Sequence, residues 1–167
     1  MANAYGQNPM YIDTAPYATG TVSITKGSRA LVGVGTNWDP LLPASPATLN
    51  RDYVIQVSLD SGVTWYTIKT TTDDTHIELE EAFGETTVAG GGYISRYLLL
   101  GNKKISLVHW VGATANHKLT IRDANYNIKI DMTAVTADDS FMPSSDFWMH
   151  GFAVSAIGSG VAYVYLA

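Results

Sequence analysis

Apolar and polar residues alternate with a period of two along most of this chain, and turn-forming residues interrupt the alternation every ~8–12 residues. The clearest stretch is GTVSITKGSRALVGVGTNW at residues 20–38, where two alternating runs flank a Lys26-Gly27-Ser28 turn. Val22 and Ile24 point one way, Thr21, Ser23 and Thr25 the other, and Leu31, Val32 and Val34 continue the pattern. This predicts a β-hairpin that runs into a tight bend at Gly33-Val34-Gly35-Thr36-Asn37-Trp38. A loop rich in proline follows at residues 39–46, because proline donates no ladder hydrogen bond. A second hairpin is predicted from residues 53–57 through the Asp60-Ser61-Gly62 turn to residues 63–68. Residues 75–80 alternate strictly with Ile77 and Leu79 inward, and Gly90-Gly91-Gly92 reads as a break before a strand at 93–98. Further strands are expected at 104–111, 117–122, 126–130, 150–157 and 161–166.

No apolar stripe at helical spacing exceeds about two turns, and residues 134–140 suit one helical turn at most. The prediction is an all-β fold: two small β-sandwich or barrel-like units, residues 18–98 and 99–167, with an extended N-terminal arm at residues 1–17. Asn3, Gln7, Asn8, Pro9 and Pro16 surround the arm's short apolar core, Met10-Tyr11-Ile12, which needs another surface to lie on.

Composition changes this picture in four ways. The 167 residues are enough to bury a core without external staples, and the absence of cysteine excludes disulfides and thiolate metal sites. A net charge of -5, with Lys103-Lys104 the only adjacent basic pair, argues against a nucleic-acid partner. No run of about 18 apolar residues occurs, and the opening MANAYGQNP has no basic or apolar leader pattern, so a soluble, non-secreted product is expected, with no membrane partner. Ten tyrosines and four tryptophans beside only 15% charged residues leave little to cover a monomer's exterior. An assembly subunit is therefore favoured over a free monomer.

Candidate chemistry is thin. Asp123-Ala124-Asn125-Tyr126-Asn127 begins like a calcium loop, but Ile128 stands at the sixth position and Ala134 at the twelfth, where glycine and glutamate belong. His76, His109, His117 and His150 form no zinc-ligand spacing. Gly158-Ser159-Gly160 is not a nucleophile elbow, and the third glycine of a dinucleotide fingerprint after Gly33 and Gly35 is replaced by Trp38. Asp73-Asp74, Glu80-Glu81 and Asp138-Asp139 read as solvated turn carboxylates. No catalytic residue, metal or cofactor is expected. The aromatic residues carry more weight: Trp65 beside Tyr66 leaves one ring exposed and offers a stacking platform for a sugar, whereas Trp38 and Trp110 sit among apolar positions and are expected to fill β cores.

Three segments also carry a family resemblance. The GTVSITKGS start leading into GVGTNW resembles a small all-β module of tailed-bacteriophage structural proteins. NPMYIDTA at residues 8–15 and KKISLVHWVGATANHKLTIRDANYNI at 103–128 together resemble a small phage head-associated protein, here with the module of residues 18–98 inserted between its two parts. In place of that family's Asp-x-Asn-Gly turn stands Asp123-Ala124-Asn125-Tyr126, and a different turn type is expected because tyrosine resists positive φ. The resemblance implies a capsid decoration or cement protein on the outer surface of the virion, partnered by the major capsid protein and assembled as a homotrimer. Its arm would then pack with the C-terminal body, and Tyr5, Met10, Tyr11, Ile12 and Tyr17 are the expected intersubunit strap. A tail-fibre or baseplate module and a glycan-binding β module are the alternatives, with a hydrolase a distant third.

Overall fold

The computed structural model describes residues 10–12, 18–38, 53–143 and 147–167. Tyr5, Tyr17 and the proline loop at 39–46 lie outside them. Strands dominate, and the fold is all-β and antiparallel. In chain order the strands are β1 (Met10–Ile12), β2 (Thr21–Ile24), β3 (Ala30–Val34), β4 (Tyr53–Ser58), β5 (Tyr66–Asp73), β6 (His76–Leu79) and β7 (Val88–Gly91). They continue with β8 (Ile94–Val111), β9 (Lys118–Arg122), β10 (Ile128–Thr133), β11 (Asp138–Phe141), β12 (Phe147–Ile157) and β13 (Val161–Leu166). Two compact units result: a middle unit, Pro16–Leu98, and a terminal unit that joins Met1–Ala15 to Leu99–Ala167.

In the middle unit the strands lie in the order β4-β5-β6-β3-β2-β7. The first hairpin forms as its alternation predicts, but its second strand faces differently. Val22 lies opposite Gly33 and Ser23 opposite Val32, so Leu31 and Gly33 face inward with Val22 and Ile24. Val32 and Val34 are 38% and 68% exposed, which corrects their expected place in the inward pattern. The reason lies in the bend that follows. Trp38 folds back over β3, and a Cβ on residue 33 would overlap the Thr36 side chain and come within 2.9 Å of Trp38 Cη2. Only glycine fits there, and the valines turn outward by parity.

Three other expectations change. The glycine-rich break holds a strand, β7, whose pairing with β2 shifts register between Val22↔Gly91 and Ile24↔Val88 while the Gly90 N–H donates to Ser23 Oγ at 3.0 Å. A bulge is where glycine belongs in a strand. The two strands expected at 93–98 and 104–111 are one, β8, which continues through Gly101 at φ 79°. Residues 138–141 form β11 rather than a helical turn, because they pair antiparallel with β8 from Val108 to Val111.

The terminal unit is built on β8, β9, β12 and β13, with Ile105, Val108, Trp110, Leu119, Ile121, Met149, Phe152 and Val164 in its core. β9 pairs with β10 and β12, and β8 with β13. Ala162↔Trp110 and Val164↔Val108 face the interior; Val161↔Val111, Tyr163↔His109 and Tyr165↔Leu107 stand on the other face, half-buried. β1 adds to the outer edge of β13 in the same chain, with Met10 opposite Val164, Tyr11 opposite Tyr163 and Ile12 opposite Ala162.

The β9–β10 turn keeps the geometry that glycine would favour. Tyr126 takes φ 67°, its N–H donates to Asp123 O at 3.0 Å, and its own carbonyl accepts from Arg122 Nη1 at 2.7 Å. The Arg122 guanidinium lies 4.3 Å from the Tyr126 ring centroid. These contacts offset the strain of a left-handed tyrosine, so the expected change of turn type does not occur.

Crowding at residue 33 yields a prediction. Gly33→Ala lowers unfolding stability by about 1–3 kcal/mol through overpacking, whereas Gly92→Ala, with no atom within 4 Å of the new Cβ, is near neutral. Urea denaturation of the two variants measures the difference.

Candidate functional site

Each unit is closed at one end by a corner made of the same parts: a buried tryptophan, two close-approaching glycines and a hydrogen-bonded turn. In the middle unit Gly20, at φ 89°, lies so near Gly35 that a Cβ would sit 2.8 Å from the Gly35 carbonyl. Trp38 is fully buried and its Nε1–H donates to Tyr93 Oη at 2.9 Å, while the Tyr93 hydroxyl donates to Thr19 O at 3.0 Å. Thr36 Oγ1 donates to Asp74 O at 2.6 Å, and the Trp38 N–H reaches the same carbonyl at 3.3 Å. The Gly-x-Gly-Thr-x-Trp run therefore anchors the β5–β6 turn, with no phosphate-binding geometry.

In the terminal unit Gly160, at φ 72°, lies against Gly112, whose carbonyl carbon would be 2.7 Å from an added Cβ. Trp110 is fully buried and donates from Nε1 to Ser159 O at 2.7 Å. Ser159 Oγ accepts the Thr114 N–H at 2.7 Å and lies 2.9 Å from His117 Nδ1. A serine beside an imidazole is the first half of a nucleophile. Here the hydroxyl is already held by a backbone amide in a closed turn, and Asp138 of the neighbouring strand accepts the Gly112 N–H at 3.4 Å rather than orienting His117. The contact serves as a lock on the corner.

The histidines are engaged separately: His76 with Asp73, His109 with Ser140, His117 with Ser159 and His150 with Asn102. Among the described residues no group of three or more His, Asp or Glu side chains is placed to hold a metal ion. Asp123 closes its turn by accepting Asn127 N–H at 2.9 Å and Asn127 Nδ2–H at 3.2 Å, with Lys129 Nζ 3.3 Å away. Burial alone would raise its pKa, but Asn127 and Lys129 together lower it.

The aromatic platform is not formed as expected. Tyr66 is only 8% exposed: its ring packs 5.1 Å from Phe83 and its hydroxyl accepts the Gly84 N–H at 3.1 Å. Trp65, its neighbour, faces the other way, donates from Nε1 to Gly62 O at 3.0 Å, and carries the buried Arg96 guanidinium 3.9 Å from its ring centroid. Arg96 is held in turn by donating from Nε to Gln56 Oε1 at 2.9 Å. The most exposed tryptophan among the described residues is Trp148, at 59%, on β12 beside the buried Met149. The strand expected at 150–157 begins three residues earlier, at Phe147, and so takes in Trp148 and Met149.

Asp73 illustrates how far the acidic pairs are structural. Its carboxylate accepts the Thr75 N–H at 2.8 Å, the Thr75 hydroxyl at 3.0 Å and His76 Nδ1–H at 2.9 Å. The Thr75 amide first and His76 second hold its pKa at about 2, below the ordinary 3.8. A carboxylate depressed by folding stabilises the turn above its unfolded pKa, and that contribution is lost as pH falls through about 2. Carboxyl carbon shifts in an NMR titration are expected to place the Asp73 midpoint well below that of an exposed aspartate, and Thr75→Pro, which removes both the amide and the hydroxyl donor, moves it back upward.

No family model, no curated protein and no solved structure matches the chain.

Proposed function

We propose that this chain is a structural protein of a tailed-phage virion, a decoration or cement protein that binds the outside of the assembled head as a homotrimer and has no catalytic step of its own. The observation that carries the reading is the outward face of β8 and β13. Val111, His109 and Leu107 stand opposite Val161, Tyr163 and Tyr165, an apolar and aromatic surface, half-buried and bordered at one end by Asp138 of β11, which lies opposite Val111. Such a surface suits a protein partner, since interface cores are depleted in charge and enriched in tyrosine. The phage-like motifs in the two terminal segments supply the partner class: the major capsid protein.

Mechanically, a capsid junction is pulled apart by the pressure of packaged DNA, and a subunit that buries area on both sides of the junction opposes the separation. A contact of about 800 Å² per partner, repeated over a closed trimer, multiplies weak individual affinities into durable attachment. The N-terminal arm joins this surface at its edge, because β1 pairs with β13 through Met10–Ile12. Tyr5 and Tyr17 flank that short strand in the sequence and are the arm's candidates for reaching a neighbouring subunit.

Two variants test the reading by co-sedimentation with heads that lack the protein. Deleting residues 1–17 is expected to lower the melting temperature of the oligomer and abolish head binding. Tyr165→Glu, which lies beyond the Ala162–Val164 stretch that pairs with β1, is expected to keep the fold and weaken head binding by at least about tenfold, the effect of losing roughly 1.4 kcal/mol. Unchanged oligomer mass and unchanged head binding in both variants would contradict the proposal.

A further inference from the structure

Trp148 and His150 project from the same face of β12, two residues apart, with the buried Met149 between them pointing the other way. That spacing puts about 7 Å between the two side-chain origins. His150 Nδ1 lies 3.0 Å from Asn102 Oδ1, which extends from β8. A carbonyl oxygen can only accept, so Nδ1 donates in this contact. In the neutral imidazole Nε2 is then an acceptor, and the Asn102 amide nitrogen is a donor.

We infer that Trp148, His150 and Asn102 form a binding subsite for a neutral pyranose with adjacent hydroxyl groups. The C–H face of such a sugar is flat and apolar and covers an exposed indole, while one hydroxyl donates to His150 Nε2 and its neighbour accepts from Asn102 Nδ2. A matched donor and acceptor beside one ring fit a vicinal diol better than an aliphatic side chain, which would leave both polar groups without partners. None of the three residues carries a fixed charge, and this sets a neutral sugar apart from an acidic or amino sugar. The site lies on an open strand face, so a single sugar binds weakly, in the millimolar range, and repetition on a polymer raises the avidity. The subsite stands on these three residues and does not depend on where the protein sits on a particle.

The test uses the full chain and a panel of methyl glycosides of glucose, galactose, mannose and N-acetylglucosamine, read by saturation-transfer NMR. At least one is expected to bind, with the strongest transfer to the protons of one ring face. Trp148→Ala and Asn102→Asp are each expected to weaken that binding by about tenfold or more. Asn102→Asp keeps an acceptor for His150 Nδ1 and replaces the amide donor with a carboxylate, and an unchanged melting temperature of the variant shows that loss of binding there is not loss of fold. Trp65→Ala, whose ring is already stacked by Arg96, is expected to leave binding unchanged. Absence of transfer to every glycoside would overturn the inference, as would binding that survives both Trp148→Ala and Asn102→Asp. Dissociation of the oligomer by Trp148→Ala, seen by light scattering, would also overturn it, because the ring would then belong to a contact between copies of the chain.

Discussion

A tryptophan can be buried whole only if its indole N–H finds a partner in the dry interior, and this chain meets that condition once in each unit. Enclosing an indole removes about 150–250 Å² from water, an upper bound of roughly 4–6 kcal/mol. An unpaired N–H would cancel about 1–3 kcal/mol of that. Trp38 finds its partner in Tyr93, and Tyr93 passes the bond on to Thr19, so one ring ties together three segments far apart in the chain. Trp110 finds its partner in the Ser159 carbonyl, which joins the end of β8 to the turn before β13. With no cysteine available for covalent links, these corners hold together chain segments that local pairing alone would not.

The corners also decide what the surface is left with. At the first, the glycine at position 33 gives its inward place to Trp38 and the valines on either side turn out to solvent. At the second, anchoring Trp110 inward fixes the parity of β8, and Leu107, His109 and Val111 must then face outward. The half-buried aromatic face proposed to meet a capsid is thus a consequence of where one indole is buried. The residues that looked most like chemistry, the Ser159–His117 contact and the Asp73 carboxylate, close turns that support this arrangement.

The sequence was legible where local alternation and turn chemistry agreed. The β2–β3 hairpin, β6, β9 and β13 fall close to their expected positions because each is a short alternating run bounded by residues that favour turns. It was illegible where pairing is imposed from elsewhere. β7 contains glycines that read as a break, and β11 opens on the Asp138-Asp139 pair that reads as a turn; each becomes a strand by bonding to a stronger neighbour. β8 reads as two strands because nothing local shows that the strand continues through Gly101 despite its positive φ. Tyr126 keeps a positive φ through contacts with Arg122 that no local rule anticipates. At the candidate sites the limiting signal was parity and extent: Trp65 next to Tyr66 shows that one side chain is inward but only the folded core decides which, and Trp148 lies before the strand expected at 150–157.

Native-state hydrogen exchange of the indole N–H groups tests the dependence on the two corners most directly. Trp38 and Trp110 are expected to exchange only when their whole unit unfolds, so that their protection equals the unfolding free energy of that unit, while the exposed Trp148 exchanges at nearly the rate of a free indole. Rapid exchange of Trp38 or Trp110, comparable to that of Trp148, would mean that the corner opens on its own, and the account built on it would fail.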